Sequence, residues 1–233
     1  MKVNSYLRLE ATQLIPPLTY LNDKDNNTEI FYWLARRNLD TAFKVQGETV
    51  YRSTISKKIY EFFCLDFENR KVLYFSRLSV SDTRCFLHSA IKTNRQSYVW
   101  VDPIFKHRHK GFARQCLWQL LFPLVPNILV SDKEQTIYGH TFWEALLCDG
   151  IAKNYCVIAF ACLPDTIERY FTYLTDANEL IYNAGRLKQI ILGDGSKYQY
   201  RGFAICKRNI RNMLEKDVKI TELDLNSFLK LDI

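Results

Sequence analysis

The stretch Ser97–Ala113, SYVWVDPIFKHRHKGFA, constrains the fold of this chain more than any other stretch. Its apolar run Tyr98–Val101 predicts a short strand, which Asp102-Pro103 is expected to end. A basic turn with one glycine, Gly111, comes next. Apolar residues then recur at helical spacing and predict a helix that prolines end (Phe112, Leu117, Leu120, Leu121 and Leu124, then Pro123 and Pro126). The sequence therefore predicts a strand, a glycine turn and a helix in succession.

This order of elements is typical of an anion-binding site. The first N–H groups of a helix have no partner inside the helix, and they lie at the positive end of its dipole. Gly111 lets the main chain approach a bulky anion where a Cβ would obstruct it. Four cations surround the turn: Lys106, Arg108, Lys110 and Arg114. An ordinary solvated connection between a strand and a helix has the same bare pattern, and that alternative stays open.

The residues of the turn also resemble a family motif. Arg108–Ala113 reads Arg, two residues, Gly, one residue, Ala. This resembles the acyl-CoA pyrophosphate loop of the GNAT superfamily, the acetyl-CoA-dependent N-acetyltransferases. The preceding Val-Asp-Pro is similar to that family too, whereas Lys106-His107 look like an insertion. The resemblance extends over Tyr98–Ile151, and it implies acetyl-CoA or another acyl-CoA as cofactor. The cofactor would be bound by Val101, Arg108, His109, Lys110, Gly111, Phe112 and Ala113.

The resemblance and the order of elements together imply an α/β fold. We expect a single GNAT-like domain over residues 1–233, with a central mixed, twisted sheet flanked by helices. Two parallel strands would splay apart at the acyl-CoA site. Residues 1–44 would form an N-terminal helical and loop region, 45–163 the core, and 164–233 a C-terminal elaboration. A chain of 233 residues with 48% hydrophobic residues is large enough for one packed core.

Patterns along the chain predict the individual elements. A helix is expected from Thr28 to Arg37, and a βαβ unit is expected to make Tyr98–Val101 and Pro126–Val130 parallel neighbours. The remaining predictions are β structure over Val45–Ile55 and Lys58–Val80 with a hairpin at Asp66–Lys71, a helix over Tyr138–Leu147 ended by Gly150, a strand over Asn154–Leu163, a helix from Pro164 through Leu174, a short helix over Asp176–Ala184 ended by Gly185, a hairpin of Leu187–Leu192 with Tyr198–Ile205, a helical face of Ile210, Met213 and Leu214, and packing of Leu223–Leu231 on a neighbour.

The family chemistry is direct attack of an amine on the thioester, with a base that takes the amine proton and an acid that protonates the sulfur. Asp102 and Glu61 are the candidate bases, although each could equally be a solvated carboxylate at the surface or a strand end. The family often places its acidic tyrosine where this chain has Trp143, and an indole N–H cannot act as an acid near neutral pH. Tyr138 and Ser131 are therefore the candidate acids. Packing is an equal explanation for Tyr138.

Composition limits the partners and the setting. The formal net charge of +7 favours an anionic partner such as a phosphorylated cofactor or a nucleic acid. Seven scattered cysteines are typical of reduced, buried thiols, and the four histidines lack zinc-ligand spacing, so we expect no metal. No apolar run reaches about 18 residues, and no secretory signal is evident at the start. These features predict a cytoplasmic protein without a membrane partner.

Two hypotheses from different classes remain. The first is an acyl-CoA-dependent N-acyltransferase acting on an amine, on a nucleic acid or a protein. The second is a non-catalytic basic protein on the same scaffold that binds nucleic acid or a host protein. Cations and aromatic residues alternate over Lys197–Arg211, which is typical of single-stranded nucleic-acid binding and equally of an ordinary strand. The spacing of Ser131, Asp132, Thr136, Gly139 and Trp143 also resembles phage-encoded GNAT-like proteins.

Overall fold

A computed structural model describes residues 21–82, 92–121, 128–131, 137–162, 168–192, 202–206 and 220–231. Over these ranges the protein is an α/β structure with ten strands and six helices. The chain forms two compact units, one from Met1–Ser79 and Gln96–Leu120, the other from Val80–Arg95 and Leu121–Ile233. Strands β4 and β5 contribute residues to both units. The expected boundaries after residues 44 and 163 lie inside these units, and the single GNAT-like domain stays a prediction.

The first unit is built on an antiparallel meander. Its elements are α1 (Lys24–Ala35), β1 (Thr41–Val45), β2 (Glu48–Ser56), β3 (Ile59–Asp66), β4 (Lys71–Asp82), β5 (Lys92–Val101), α2 (Pro103–Arg108) and α3 (Phe112–Leu121). Strands β1 to β4 pair in chain order, and β5 lies beside β4. The predicted hairpin is confirmed, since Asp66 pairs with Lys71. Gln46 and Gly47 join β1 to β2 with φ of 49° and 86°, as a two-residue hairpin turn requires.

Helices lie on both faces of this meander. On one face, Phe31 and Leu34 of α1 share a core cluster with Phe75 of β4. On the other face, the Tyr74 ring meets that of Phe112 of α3 edge-on, with centroids 5.4 Å apart. Successive residues of a strand point to opposite faces, so Tyr74 and Phe75 place α3 and α1 on opposite sides. The start of α3 is thereby fixed against the sheet.

The beginning of α1 differs from the sequence prediction. The helix was expected to start at Thr28, but α1 begins at Lys24, within a polar run of residues. The carboxylate of Asp23 accepts hydrogen bonds from the N–H groups of Asp25 and Asn26 and caps the helix. Asn27 is buried and accepts from the N–H of Val72 at 2.7 Å. Capping and one buried amide therefore turn a loop-like sequence into a helical turn.

The second unit contains the strand order β5-β6-β9-β7-β8-β10. Its further elements are β6 (Ile128–Val130), α4 (Ile137–Ala152), β7 (Cys156–Cys162), β8 (Arg169–Tyr173), α5 (Ala177–Leu192), β9 (Gly202–Cys206), β10 (Ile220–Glu222) and α6 (Leu225–Phe228). The predicted parallel pairing of β5 and β6 is confirmed, although the paired residues are Asn94 with Leu129 and Arg95 with Val130, earlier in β5 than expected. The predicted strand over Asn154–Leu163 corresponds to β7, which pairs with β8 and β9 and is therefore internal to the sheet.

Helix α4 continues through Gly150, which the sequence prediction made its end. Gly150 is buried within the helix. The helix ends instead at Ala152, and Asn154, two residues further on, has a φ of 61°. The N–H of Tyr155 donates to the carbonyl of Gly150 at 2.9 Å, which is the hydrogen bond of a Schellman motif. Asn154 therefore adopts the left-handed conformation after the helix end, a role that the sequence prediction gave to Gly150.

Three predictions after β7 are wrong. The segment expected as a helix through Leu174 contains β8, whose aromatic residues pair antiparallel with β7. Leu187–Leu192, expected as a strand, is the last part of α5, which passes through Gly185 and buries Leu180 and Leu187 two turns apart. The hairpin of Leu187–Leu192 with Tyr198–Ile205 is therefore absent, since β9 pairs with β6 and β7. Local propensity could not reveal these long-range pairings.

Near the end of the chain, the expected packing of Leu223–Leu231 is confirmed because Leu225 and Phe228 of α6 are buried. The helical face predicted from Ile210, Met213 and Leu214 lies outside the described residues. Among the helices that the structure describes, none is long and apolar enough to cross a membrane.

Candidate functional site

The strand and the glycine turn are separated by a short helix, which the sequence prediction did not include. Asp102 follows β5 and caps α2, because its Oδ1 accepts from the N–H of Phe105 at 2.8 Å. Pro103 occupies the first turn, where its missing N–H costs nothing. The expected basic turn is thus mostly helical, and Arg108 is its last helical residue. Only residues 109–111 form the turn into α3.

This turn is held by main-chain hydrogen bonds and ring packing. The N–H of His109 donates to the carbonyl of Phe105 at 2.8 Å, and the two rings stack with centroids 4.3 Å apart. Gly111 has a φ of 75°, a conformation that favours glycine. Its carbonyl accepts from the N–H of Gln115 at 3.0 Å, the first bond of helix α3. Gly111 therefore sits at the helix cap in a defined conformation.

The surroundings of the turn are basic. Arg108 and Lys110 are exposed, and the Arg114 guanidinium lies 3.4 Å from where a Cβ on Gly111 would be. The side chain of Gln46 donates to the carbonyl of Lys110 at 3.0 Å and fixes the turn against the β1–β2 hairpin. Three cations thus flank the start of a ten-residue helix, whose dipole also favours a negative group.

A cleft of about 980 Å³ borders the turn within the first unit. Arg108 and His109 lie at one part of its wall, and the β3–β4 turn and the start of α1 form other parts. Four carboxylates line it (Glu48, Asp66, Glu68 and Asp102). The Nε2 atom of His109 is 3.6 Å from a Glu48 carboxylate oxygen. The cations Lys24, Lys71 and Arg108 line the same cleft, so its wall is of mixed charge and the turn is the more basic surface.

Asp102, one of the two candidate bases, serves a clear structural purpose. Besides its bond to the Phe105 N–H, the Asp102 carboxylate lies 3.7 Å from the Lys71 ammonium. Its side chain is only 15% exposed. The cap uses Oδ1, so Oδ2, the oxygen beside Lys71, is the one that would have to accept a proton from a substrate. The base role of Asp102 stays a prediction.

Glu61, the other candidate base, is completely buried between two arginines. One oxygen accepts from the Nη1 of Arg37 and the other from the Nε and Nη2 of Arg77. Glu61 and Arg77 are direct partners across β3 and β4. Its lone pairs are therefore occupied by charge-assisted hydrogen bonds. This placement favours a structural role for Glu61, and sequence reasoning missed both arginines because their pairing depends on the fold.

The candidate acids both lie in the second unit. Ser131 is buried at the end of β6, where its Oγ accepts from the N–H of Phe203 at 3.0 Å. Tyr138 lies in the first turn of α4. Trp143, further along the same helix, is 3% exposed and packs in the interior. The structure thus gives Ser131 a hydrogen-bonding role at a strand end and leaves the acid assignment a prediction.

The described residues give little support to a reactive cysteine, a metal site or a surface that stacks on nucleic-acid bases. Burial raises the pKa of the Cys64 thiol to about 12 and raises that of Cys116 as well, which makes both thiols unreactive. No group of side chains suited to a metal ion occurs in the part of the chain that the structure describes. Of the basic and aromatic segment Lys197–Arg211, only 202–206 is described, and its Phe203 is buried. That ring is not available for stacking on a base.

Comparison with known proteins adds no assignment. No protein-family model matches the chain, and no curated protein matches its sequence. The function must therefore be argued from the residues and the geometry.

Proposed function

We propose that the protein binds an acyl-CoA as GNAT proteins do, with the pyrophosphate at the turn of residues 109–113, on its main-chain N–H groups other than those of His109 and Phe112, which donate to main-chain carbonyls. The observation that carries this proposal is Gly111, which has a φ of 75° at the cap of α3. A side chain is absent at the point where an anion would approach the helix start. Arg108–Ala113 resembles the pyrophosphate loop of the GNAT superfamily, and this resemblance is the reason to propose the pyrophosphate of an acyl-CoA as the anion.

The charges around the turn support this proposal. Arg108, Lys110 and Arg114 can together compensate a pyrophosphate, which a helix start alone cannot do. Val101, the last residue of β5, would contact the acyl-bearing part of the cofactor, as the resemblance implies.

The parallel pairing of β5 with β6, at Asn94 with Leu129 and Arg95 with Val130, supports the pair of parallel strands that the family uses. In the proposed reaction, an amine attacks the thioester carbon, the new C–N bond forms and the C–S bond breaks. A base removes the amine proton, and Tyr138, Ser131 or water protonates the thiolate.

Gly111→Val tests this binding mode. Valine is strained at a φ of 75° and adds bulk beside the helix start, so we expect acetyl-CoA affinity to fall at least tenfold. Gly185→Val is the control, because Gly185 lies inside α5 and nothing lies within 4 Å of where its Cβ would be. Calorimetry on both folded variants measures the affinity. An acetyl-CoA affinity of the Gly111→Val protein equal to that of the parent would contradict the proposal.

A non-catalytic basic protein on the same scaffold is the second candidate. The observation that favours it is the buried Trp143, which stands where the resembling family keeps its acid. Acetyl-CoA binding without thiol release for a wide panel of amines would favour this second function over the transferase.

A further inference from the structure

Arg37, Glu61 and Arg77 form a buried ionic cluster under the end of α1. Their side chains are 10%, 0% and 7% exposed. Two guanidinium groups share one carboxylate, which leaves one positive charge over. Within the described residues, Glu61 is the one carboxylate in ion-pair distance of either arginine. Buried charges in proteins are normally paired, so this surplus charge calls for an explanation.

The Nη2 nitrogen of Arg37 shows where the cluster lacks a hydrogen-bond acceptor among the described residues. This nitrogen is buried and has no hydrogen-bond partner among the described residues. The Nη1 of the same guanidinium is bonded to Glu61, and the guanidinium lies 3.4 Å from the ring centroid of Trp33. Stacking and the ion pair therefore hold Arg37 in one orientation while two N–H donors remain unused. Leaving charged donors of this kind unsatisfied is costly.

We propose that Arg37 and Arg77 hold the carboxylate of a small ligand, bound at the Nη2 of Arg37. The charge count favours a carboxylate, since one negative charge neutralises the cluster, whereas a doubly charged phosphate would leave an excess negative charge buried. Burial lowers the pKa of Arg37, and Arg77 acts in the same direction against the opposing effect of Glu61. An added anion would relieve both effects. Tyr98, whose ring centroid is 5.9 Å from the Arg77 guanidinium, lies beside the cluster.

Saturation-transfer NMR with acetate, succinate and L-glutamate tests the site, with inorganic phosphate compared by calorimetry. We expect saturable binding of at least one carboxylate by the parent protein. Arg37→Gln should weaken it about 10- to 100-fold, the range for a hydrogen bond to a charged group. Arg36→Gln is the matched control, because Arg36 is exposed, adjacent and equally charged, and it should bind like the parent.

Arg37→Lys keeps the test decisive if Arg37→Gln does not fold. A lysine can retain the ion pair with Glu61 but has no second nitrogen, so carboxylate binding should still weaken tenfold or more. The inference is overturned if no carboxylate binds the parent, if the Arg37 variants bind as the parent does, or if phosphate binds more tightly than every carboxylate. The experiment uses no CoA, so its outcome is independent of the acyl-CoA proposal.

Discussion

Replacing Asp102 separates its role as a helix cap from a role as a base. Asp102→Ala removes the hydrogen bond to the Phe105 N–H, and loss of such a cap costs about 0.5–2 kcal/mol. The partly exposed pair with Lys71 adds at most about 1 kcal/mol. We therefore expect the free energy of unfolding to fall by about 1–2 kcal/mol, or a melting temperature lower by roughly 2–8 °C. Urea unfolding followed by tryptophan fluorescence measures the change.

Asp102→Asn is the matched control, because asparagine caps a helix about as well as aspartate but cannot serve as a base. The cap account predicts that Asp102→Asn keeps most of the stability and all of the acetyl-CoA affinity. Equal destabilisation by asparagine and alanine would refute this reasoning about the cap. A stable Asp102→Asn protein whose acyl transfer is about 10²–10⁴ times slower would instead establish the base.

Three further predictions concern buried groups and the acid. Glu61→Gln should destabilise the protein by about 3–5 kcal/mol, because it leaves two buried guanidinium groups without a carboxylate; a loss below about 1 kcal/mol in urea unfolding would contradict the cluster. Cys64 should resist iodoacetamide at pH 8 in the folded protein, since with a pKa of about 12 roughly one thiol in 10⁴ is ionised. Peptide mass spectrometry detects labelling, and labelling as fast as in urea would show this account of Cys64 to be wrong. If the protein is a transferase, Tyr138→Phe or Ser131→Ala should slow thiol release about 10²-fold or more; less than tenfold in both would exclude the two side chains as acids.

Strong local signals predicted the β3–β4 hairpin, the turn at Gly111 and the pairing of β5 with β6, but neither the start of α1 nor the helix α2. The apolar and aromatic strands around Asp66–Lys71 were found because their turn residues and β-branched neighbours agree with each other. The glycine turn at Gly111 was found for the same reason, since a single residue with a special conformation marks it. The short connection between β5 and β6 predicted their parallel pairing, and chain geometry made that inference reliable.

Other parts of the structure depend on contacts between residues distant in sequence, which local sequence patterns do not predict. The helix α5 continues through Gly185 because Leu180 and Leu187 are buried on one of its faces. The segment Arg169–Tyr173 is a strand because it pairs antiparallel with β7. The Glu61 cluster joins Arg37, which follows α1, to the neighbouring strands β3 and β4, across separations of 24 and 16 residues from Glu61. The sequence predicted β structure at Glu61, but only the fold shows that Arg37 and Arg77 meet it there.

Calorimetric titration of the full chain with acetyl-CoA tests the central claim most directly. The account predicts saturable binding of one acetyl-CoA per chain, weakened by salt because Arg108, Lys110 and Arg114 act through charge. Free CoA should compete with it, since both carry the same pyrophosphate. Failure of the folded parent protein to bind either compound would contradict the claim that the turn before α3 is an acyl-CoA site.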